Sequence, residues 1–270
     1  MASKATDPIG IFDSGIGGLT VAHAVKELLP LEQLVYFGDT AHLPYGDKST
    51  AAIQAYSIKI CDVLLEHNCK LILIACNSAS AAAYELVKEY VGRRSKVMNV
   101  IDPVIDYARE QHAGDRIGLI GTKQTVGSQV YKNKIEKQDQ GIDFKALPTP
   151  LLVPMIEEGF FKDQISESII AKYLNNPELQ DLKALILGCT HYPLIKNAIQ
   201  EFYNGEVDVI DSSEIVAKSL KAFLEFHNLL SQSSSPADKF MISDYTESFE
   251  HSTKLFFQEE VHLELYKLWE

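Results

Sequence analysis

Several features that would divert a protein from small-molecule chemistry are missing from this sequence. No apolar stretch reaches the roughly 18 residues expected of a membrane-spanning helix, so no membrane partner is expected. The first eight residues lack the basic-then-apolar pattern of an export signal and carry Asp7, which points to the cytoplasm. Positive charge is scarce: 25 Lys and Arg stand against 37 Asp and Glu, a net charge of −12. The one short basic run, Arg93-Arg94-Ser95-Lys96, reads as a solvated helix end. A duplex-binding surface needs several cations against phosphates, so nucleic acid is not expected as a primary partner. Four cysteines (Cys61, Cys69, Cys76 and Cys189) form no C-x-x-C pair. Neither a zinc knuckle nor a disulfide framework is indicated, and no metal site is expected.

What is present is an ordinary globular composition, 46% hydrophobic and 23% charged over 270 residues, enough for two modest cores. Short β-rich apolar runs alternate with amphipathic helical stretches, the pattern of an α/β fold with mostly parallel sheets. Strands are expected at 9–12, 34–37, 71–74 and 239–243, and helices at about 19–29, 50–67 and 247–258. Residues 231–238, with Ser, Gln and Pro, read as a surface loop. The apolar tail Leu265-Tyr266-Lys267-Leu268-Trp269 is expected to pack on the first half of the chain or on another subunit.

The chain also says similar things twice. Ile117-Gly118-Leu119-Ile120-Gly121-Thr122 echoes Ile9-Gly10-Ile11-Phe12-Asp13-Ser14, 108 residues on. Leu185-Ile186-Leu187-Gly188-Cys189-Thr190 echoes Ile72-Leu73-Ile74-Ala75-Cys76-Asn77 at an offset of 113, and Val209-Ile210-Asp211-Ser212 echoes Val100-Ile101-Asp102-Pro103 at 109. Three matches in one order at nearly one period predict two similar α/β lobes.

In open parallel sheets, ligands bind outside the carboxyl ends of the strands. Cys76 and Cys189 both fall there, each after an apolar strand and before a small polar residue. A helix is expected to start right after each, with Pro193 suited to a first turn. A cysteine at a strand end is more often a small buried hydrophobe than a reagent, and Cys61, in helical spacing with Ile58, Val63 and Leu65, is assigned to packing. A matched pair is different, because inverting an α-carbon needs an acid on one face and a base on the other. A helix N-terminus can move a thiol from about 8.5 toward neutrality, so one cysteine waits as thiolate and the other as thiol.

Four motifs then carry a family resemblance: residues 10–20 (GIFDSGIGGLT), Tyr36-Phe37-Gly38-Asp39 running to Pro44-Tyr45-Gly46-Asp47-Lys48-Ser49, Ala75-Cys76-Asn77-Ser78-Ala79-Ser80, and Leu187-Gly188-Cys189-Thr190-His191-Tyr192-Pro193-Leu194. In this order they closely resemble the glutamate racemases of the aspartate/glutamate racemase superfamily, across nearly the whole chain. The resemblance implies two α/β lobes related by a pseudo-two-fold axis, with the active site in the cleft between them. Residues 1–100 plus 210–270 would form the Cys76 lobe and 101–209 the Cys189 lobe. It implies racemisation of L-glutamate to D-glutamate for peptidoglycan, without a cofactor, by a cytoplasmic homodimer. Cys76 and Cys189 would be the acid–bases, assisted by Asp13 and His191 respectively. Ser14, Asn77, Ser78, Thr190, Asp13 and His191 would hold the substrate, with Pro44, Tyr45 and Gly46 as a wall and Glu157 as a second-lobe carboxylate. The family usually has Thr after Cys-Asn; here Ser78 keeps the hydroxyl and loses the methyl.

Other readings compete. Gly15-Ile16-Gly17-Gly18 after a strand, with Asp39 ending the next, partly matches a dinucleotide fingerprint, but Thr20 stands at its third glycine position. Asp13 could simply cap the following helix, and Tyr45-Gly46 could be a plain turn. A two-lobed amino-acid binder would need the cleft and no thiols. A racemase of aspartate differs only in pocket size, which sequence defines poorly.

Overall fold

Strands buried on both faces of a parallel sheet read as unbroken apolar runs, and three such runs begin the chain. The computed structural model describes residues 3–137, 140–233, 236–245 and 247–270. The strands β1 (Ile9–Asp13), β2 (Leu34–Gly38) and β3 (Leu71–Ile74) are buried at every position, and β4 (Lys96–Asn99) follows. With β9 (Lys239–Ile242) and β10 (Leu263–Leu265) they form one parallel sheet in the order β10-β9-β2-β1-β3-β4. A second parallel sheet, β6-β5-β7-β8, is made of β5 (Arg116–Gly121), β6 (Asp143–Pro148), β7 (Ala184–Gly188) and β8 (Asp208–Ile210). The chain therefore leaves the first sheet after β4 and returns to it at β9. The tail adds β10 to the edge of that first sheet. Of the expected loop 231–238, Ser234 and Ser235 lie outside the described residues.

The repeat is visible in the sheets: β2-β1-β3-β4 and β6-β5-β7-β8 have the same order. Register supports two of the three sequence echoes and corrects the third. Gly10 pairs with Ile72 and Gly118 with Leu185, which matches the offsets of the first two. Ile72 pairs with Val97, however, and Leu185 with Val209. Val209 is thus the counterpart of Val97, not of Val100. The apparent third echo is a likeness of helix starts. Asp102 sits in the first turn of the helix Ile101–Gln111, and Asp211 caps the helix Ser212–Phe226 through Ser213 N–H. Carboxylates favour that position whatever strand precedes them.

Two helices set the carboxyl ends of β1 and β3. Helix α1 (Leu19–Leu28) buries Leu19, Val21, Ala22 and Val25 after the glycine turn. Helix α2 (Thr50–Glu66) is capped by Ser49, whose side chain accepts the Ala52 N–H, and it buries Cys61 in the core. Helix α3 (Asn77–Val91) starts directly on Cys76. At its far end the Arg94 guanidinium donates to Tyr90 and Val91 carbonyls, the helix-end role expected of the basic run. One hydrophobic core runs from Ile9 and Leu73 on the first sheet, with Leu19 of α1, to Leu185 and Leu187 on the second, so the sheets share an interior.

At the amino ends of the strands, opposite the carboxyl ends, Lys70 and Glu32 form an ion pair with almost no exposure of either side chain. Lys70 also donates to Ala5 O, and Glu32 Oε1 accepts the Ser231 N–H at 2.9 Å. Lys70→Met strands a buried carboxylate and is expected to cost about 3–5 kcal/mol, a fall in melting temperature of roughly 10 °C for a chain of this size. Lys70→Met combined with Glu32→Leu is expected to recover much of that loss in calorimetry. Equal melting temperatures for single and double variants would refute the pairing.

Candidate active site

The carboxyl ends of β1, β3, β5 and β7 converge on one cleft. About 420 Å³ of empty space, including its mouth, is lined by Ser14, Pro44, Tyr45, Gly46, Cys76, Asn77, Ser78, Thr122, Glu157, Cys189, Thr190 and His191 among others. Of the candidates named from sequence, only Asp13 does not reach the lining. It lies fully buried behind it.

Backbone economy makes this convergence possible. A Cβ on Gly17 would come within 2.5 Å of the His191 ring and 2.7 Å of Thr190 Oγ1. The glycine turn is therefore where the second sheet's loop presses on the first. Close to it, Thr20 Oγ1 donates to Thr190 O at 3.1 Å. This removes the dinucleotide reading, because the turn is filled by the chain itself. Asp39, the would-be ribose ligand, is buried and already accepts from Tyr45, His42, Ser243 and Trp269.

Cys76 is the N-cap of α3, and its sulfur accepts the Ala79 N–H at 3.4 Å. Its thiol donates to Ser14 Oγ at 3.8 Å. The helix N-terminus does not move this thiol toward neutrality as expected. Burial pushes it up, and the neighbouring Asp13 charge adds to that, outweighing the Ala79 N–H and Ser14. Cys76 therefore rests as a protonated acid. Asp13 accepts the Gly18 N–H at 2.8 Å through Oδ2 and so holds the glycine turn ahead of α1, whose N-cap is Gly18. Its Oδ1, however, has no hydrogen-bond partner among the described residues. Burial raises Asp13 too, opposed by His191 and by backbone N–H groups.

The surroundings of Cys189 are of another kind. No α-helix starts on it; Tyr192–Ile195 is a 3-10 turn and the α-helix begins at Lys196. Proline explains the difference. Cys189 O accepts from Tyr192 N at 3.1 Å, whereas the i+4 bond of an α-helix would need an N–H that Pro193 lacks. The partner of Cys189 is instead a side chain: its Sγ lies 3.7 Å from His191 Nδ1. His191 Nε2 lies 3.0 Å from Glu157 Oε1 on the helix Leu152–Glu157. Burial alone would discharge this imidazole. The hydrogen bonds and charges of Cys189 and Glu157 outweigh burial and hold it up at about 10. A cationic imidazole stabilises negative charge on the sulfur it faces.

Cross-sheet contacts order the remaining side chains. Tyr131 OH donates to Asn77 Oδ1 at 2.7 Å, and Asn77 Nδ2 has no hydrogen-bond partner among the described residues. Ser78 Oγ pairs with Thr122 Oγ1 at 2.8 Å and Thr125 Oγ1 at 3.3 Å. Tyr45 turns its hydroxyl away to Asp39 Oδ2 at 2.6 Å, so it offers the cleft its ring and backbone only. Thr122 was missed by motif reading, yet it is the counterpart of Ser14 at the repeat's offset of 108. Cys61 and Cys69 are buried, and burial pushes both thiols up to about 12. Among the described residues, no group of three or more His, Cys, Asp or Glu side chains is arranged to hold a metal ion.

The family model for Asp/Glu/Hydantoin racemase matches residues 19–220. A glutamate racemase of Chlorobaculum parvum is 39% identical over 94% of this chain and 93% of its own. The crystal structure of a Francisella tularensis glutamate racemase in complex with D-glutamate superposes with a TM-score of 0.92 at 37% identity, covering 98% and 99% of the two chains. An aspartate racemase homologue from Pyrococcus horikoshii, at 19% identity and a TM-score of 0.59 over 81% of this chain and 99% of its own, shares the fold. With two matched parallel sheets, a thiol at each strand end and these likenesses over most of its length, the chain belongs to the Asp/Glu/Hydantoin racemase family.

Proposed function

We propose that this protein racemises glutamate by a two-thiol acid–base mechanism without an organic cofactor. The observation that carries the reading is the pairing of Cys76 and Cys189. They end equivalent strands of two like-ordered sheets, line one cleft, and differ in protonation environment. Glutamate rather than aspartate is supported by the glutamate racemases that match nearly the whole chain, one of them solved with D-glutamate bound.

In the resting site His191 carries a proton and Cys189 faces it as the base. Cys76 is the acid. For one enantiomer, the Cys189 thiolate takes the α-proton and becomes a thiol, while the C–H electron pair moves onto the α-carbon and its carboxylate. Cys76 then delivers its proton to the opposite face and becomes the thiolate. That turnover leaves the reverse pattern, which is the one the other enantiomer needs; the starting pattern returns when Cys189 loses a proton to solvent and Cys76 gains one, with His191 and Asp13 as the neighbouring relays. Asn77 Nδ2, Ser14 and Thr190 provide donors for the amino-acid head group; the carboxylate gains most from such donors as charge develops on it. Ser78 and Thr122 complete that wall.

The same reading extends to organisation and role. We assign residues 1–100 and 210–270 to the Cys76 lobe and 101–209 to the Cys189 lobe. No described helix is long and apolar enough to cross a membrane. The family resemblance supports a cytoplasmic homodimer that supplies D-glutamate for peptidoglycan.

L-Glutamate incubated with the protein in D₂O is expected to racemise and to acquire deuterium at the α-carbon with nothing added; inversion with full retention of protium would sink the two-base scheme. Cys76→Ser and Cys189→Ser are each expected to lower kcat/KM by about 10³-fold or more, whereas Cys61→Ala keeps most of the activity. An active Cys189→Ser enzyme refutes the assignment. The pH profile tests the imidazole. Because His191 is raised to about 10, any function of its charge is complete at neutral pH and is lost as pH rises through that value. Glu157→Gln removes one of the partners that raise it, so the alkaline limb of kcat/KM is expected to move to lower pH. An alkaline limb that stays in place would exclude His191 as the group responsible.

A further inference from the structure

The chain contains one tryptophan, and it lies behind the wall of the cleft, in neither core. The strand β10 lays the tail beside β9. The Tyr266 N–H then bonds Ile242 O at 2.8 Å, and the Tyr266 ring meets Phe37 edge-on at 5.9 Å. From there Trp269 Nε1 donates to Asp39 Oδ1 at 2.8 Å.

Asp39 is the junction between that tail and the cleft. Its carboxylate is out of solvent just past β2. Oδ2 accepts the Tyr45 hydroxyl at 2.6 Å, Oδ1 accepts Ser243 Oγ at 2.8 Å, and His42 Nδ1 stands 3.1 Å from both. A buried carboxylate held by several donors has little freedom to rotate. A second route runs through rings. His42 stacks on Tyr56 at 4.0 Å, Trp269 sits edge-on to His42 at 4.4 Å, and Tyr45 packs against the same Tyr56 at 5.8 Å. Tyr45, with Pro44 and Gly46, forms one wall of the cleft.

We infer that Trp269 is a positioning residue for this site: its indole N–H and ring hold Asp39 and His42, and through them the Pro44-Tyr45-Gly46 wall against which substrate lies. The inference rests on the glutamate racemase reading. Trp269 does not line the cleft, so its loss acts on substrate binding more than on proton transfer. Asp39 retains three other donors without the indole, which makes the effect moderate rather than abolishing.

The single tryptophan gives a direct optical test. Glutamate added to the unmodified protein is expected to change Trp269 emission saturably, with a midpoint near KM. Trp269→Phe, which keeps a ring and removes the N–H, is expected to raise KM about five-fold with kcat within about two-fold. A chain ending at Leu268 is expected to raise KM further in the same direction. If Trp269→Phe leaves KM unchanged, or lowers kcat by the whole loss in kcat/KM, the positioning role is overturned. A glutamate titration that reaches saturation of turnover with no change in emission overturns it as well, and needs no variant. Failure of the unmodified protein to racemise glutamate would instead sink the underlying reading, so the two failures are distinguishable.

Discussion

The close approach of the Gly17 backbone to His191 is the constraint on which the rest of the site depends. A methyl group at position 17 would stand 2.5 Å from the imidazole, a separation that packed atoms do not tolerate. With hydrogen there instead, the loop after β7 settles onto the turn after β1, and Thr20 fastens it through Thr190 O. This contact puts a thiol and an imidazole from the second sheet beside a thiol and a carboxylate from the first.

Repetition brings the thiols together, and its breakdown makes them different. The sheets have one strand order and the cysteines fall on matched strands. Past those strands the chains diverge. Asn77 begins an α-helix, so Cys76 becomes a cap in an enclosed site whose nearest charge is negative. Pro193 forbids the same start after Cys189, and the turn that results brings His191 back onto the sulfur, with Glu157 behind it. Desolvation and a neighbouring anion favour the neutral thiol at Cys76, whereas Cys189 faces an imidazole held in its charged form. Proton transfer in either direction needs one of each. A perfectly symmetric pair would have to break its own symmetry before turning over.

How much of this was legible in sequence follows from the range of each interaction. The strands and the helices α1 to α3 are governed by local periodicity, and Leu71-Ile72-Leu73-Ile74 is recognisable on its own. The thiols were found by comparing the chain with itself, and the same comparison contained Thr122 as the partner of Ser14. It misled at Val209, because an Ile-Asp helix start looks alike whichever strand precedes it. The direction in which Cys76 is shifted could not be read at all. A helix N-terminus is a local signal that lowers a thiol, whereas burial and the Asp13 charge come from chain assembled around it. Asp39 shows the limit most plainly, since its partners Ser243 and Trp269 lie more than two hundred residues away.

The hydrogen bonds between the sheets give the cleft a property that neither half has alone. Asn77 belongs to the first sheet's helix, but its amide is oriented by Tyr131 from the segment between β5 and β6 of the second sheet. Ser78 is likewise held by Thr122 and Thr125, and Cys189 and its imidazole rest on the Gly17 turn. Asn77 and Ser78, two of the side chains placed to meet the head group of an amino acid, are thus aligned from across the cleft. These bonds hold the donors and the two strand-end cysteines in one arrangement. Two thiols on one rigid sheet could not be brought to opposite faces of an α-carbon in this way; two sheets meeting over a glycine can.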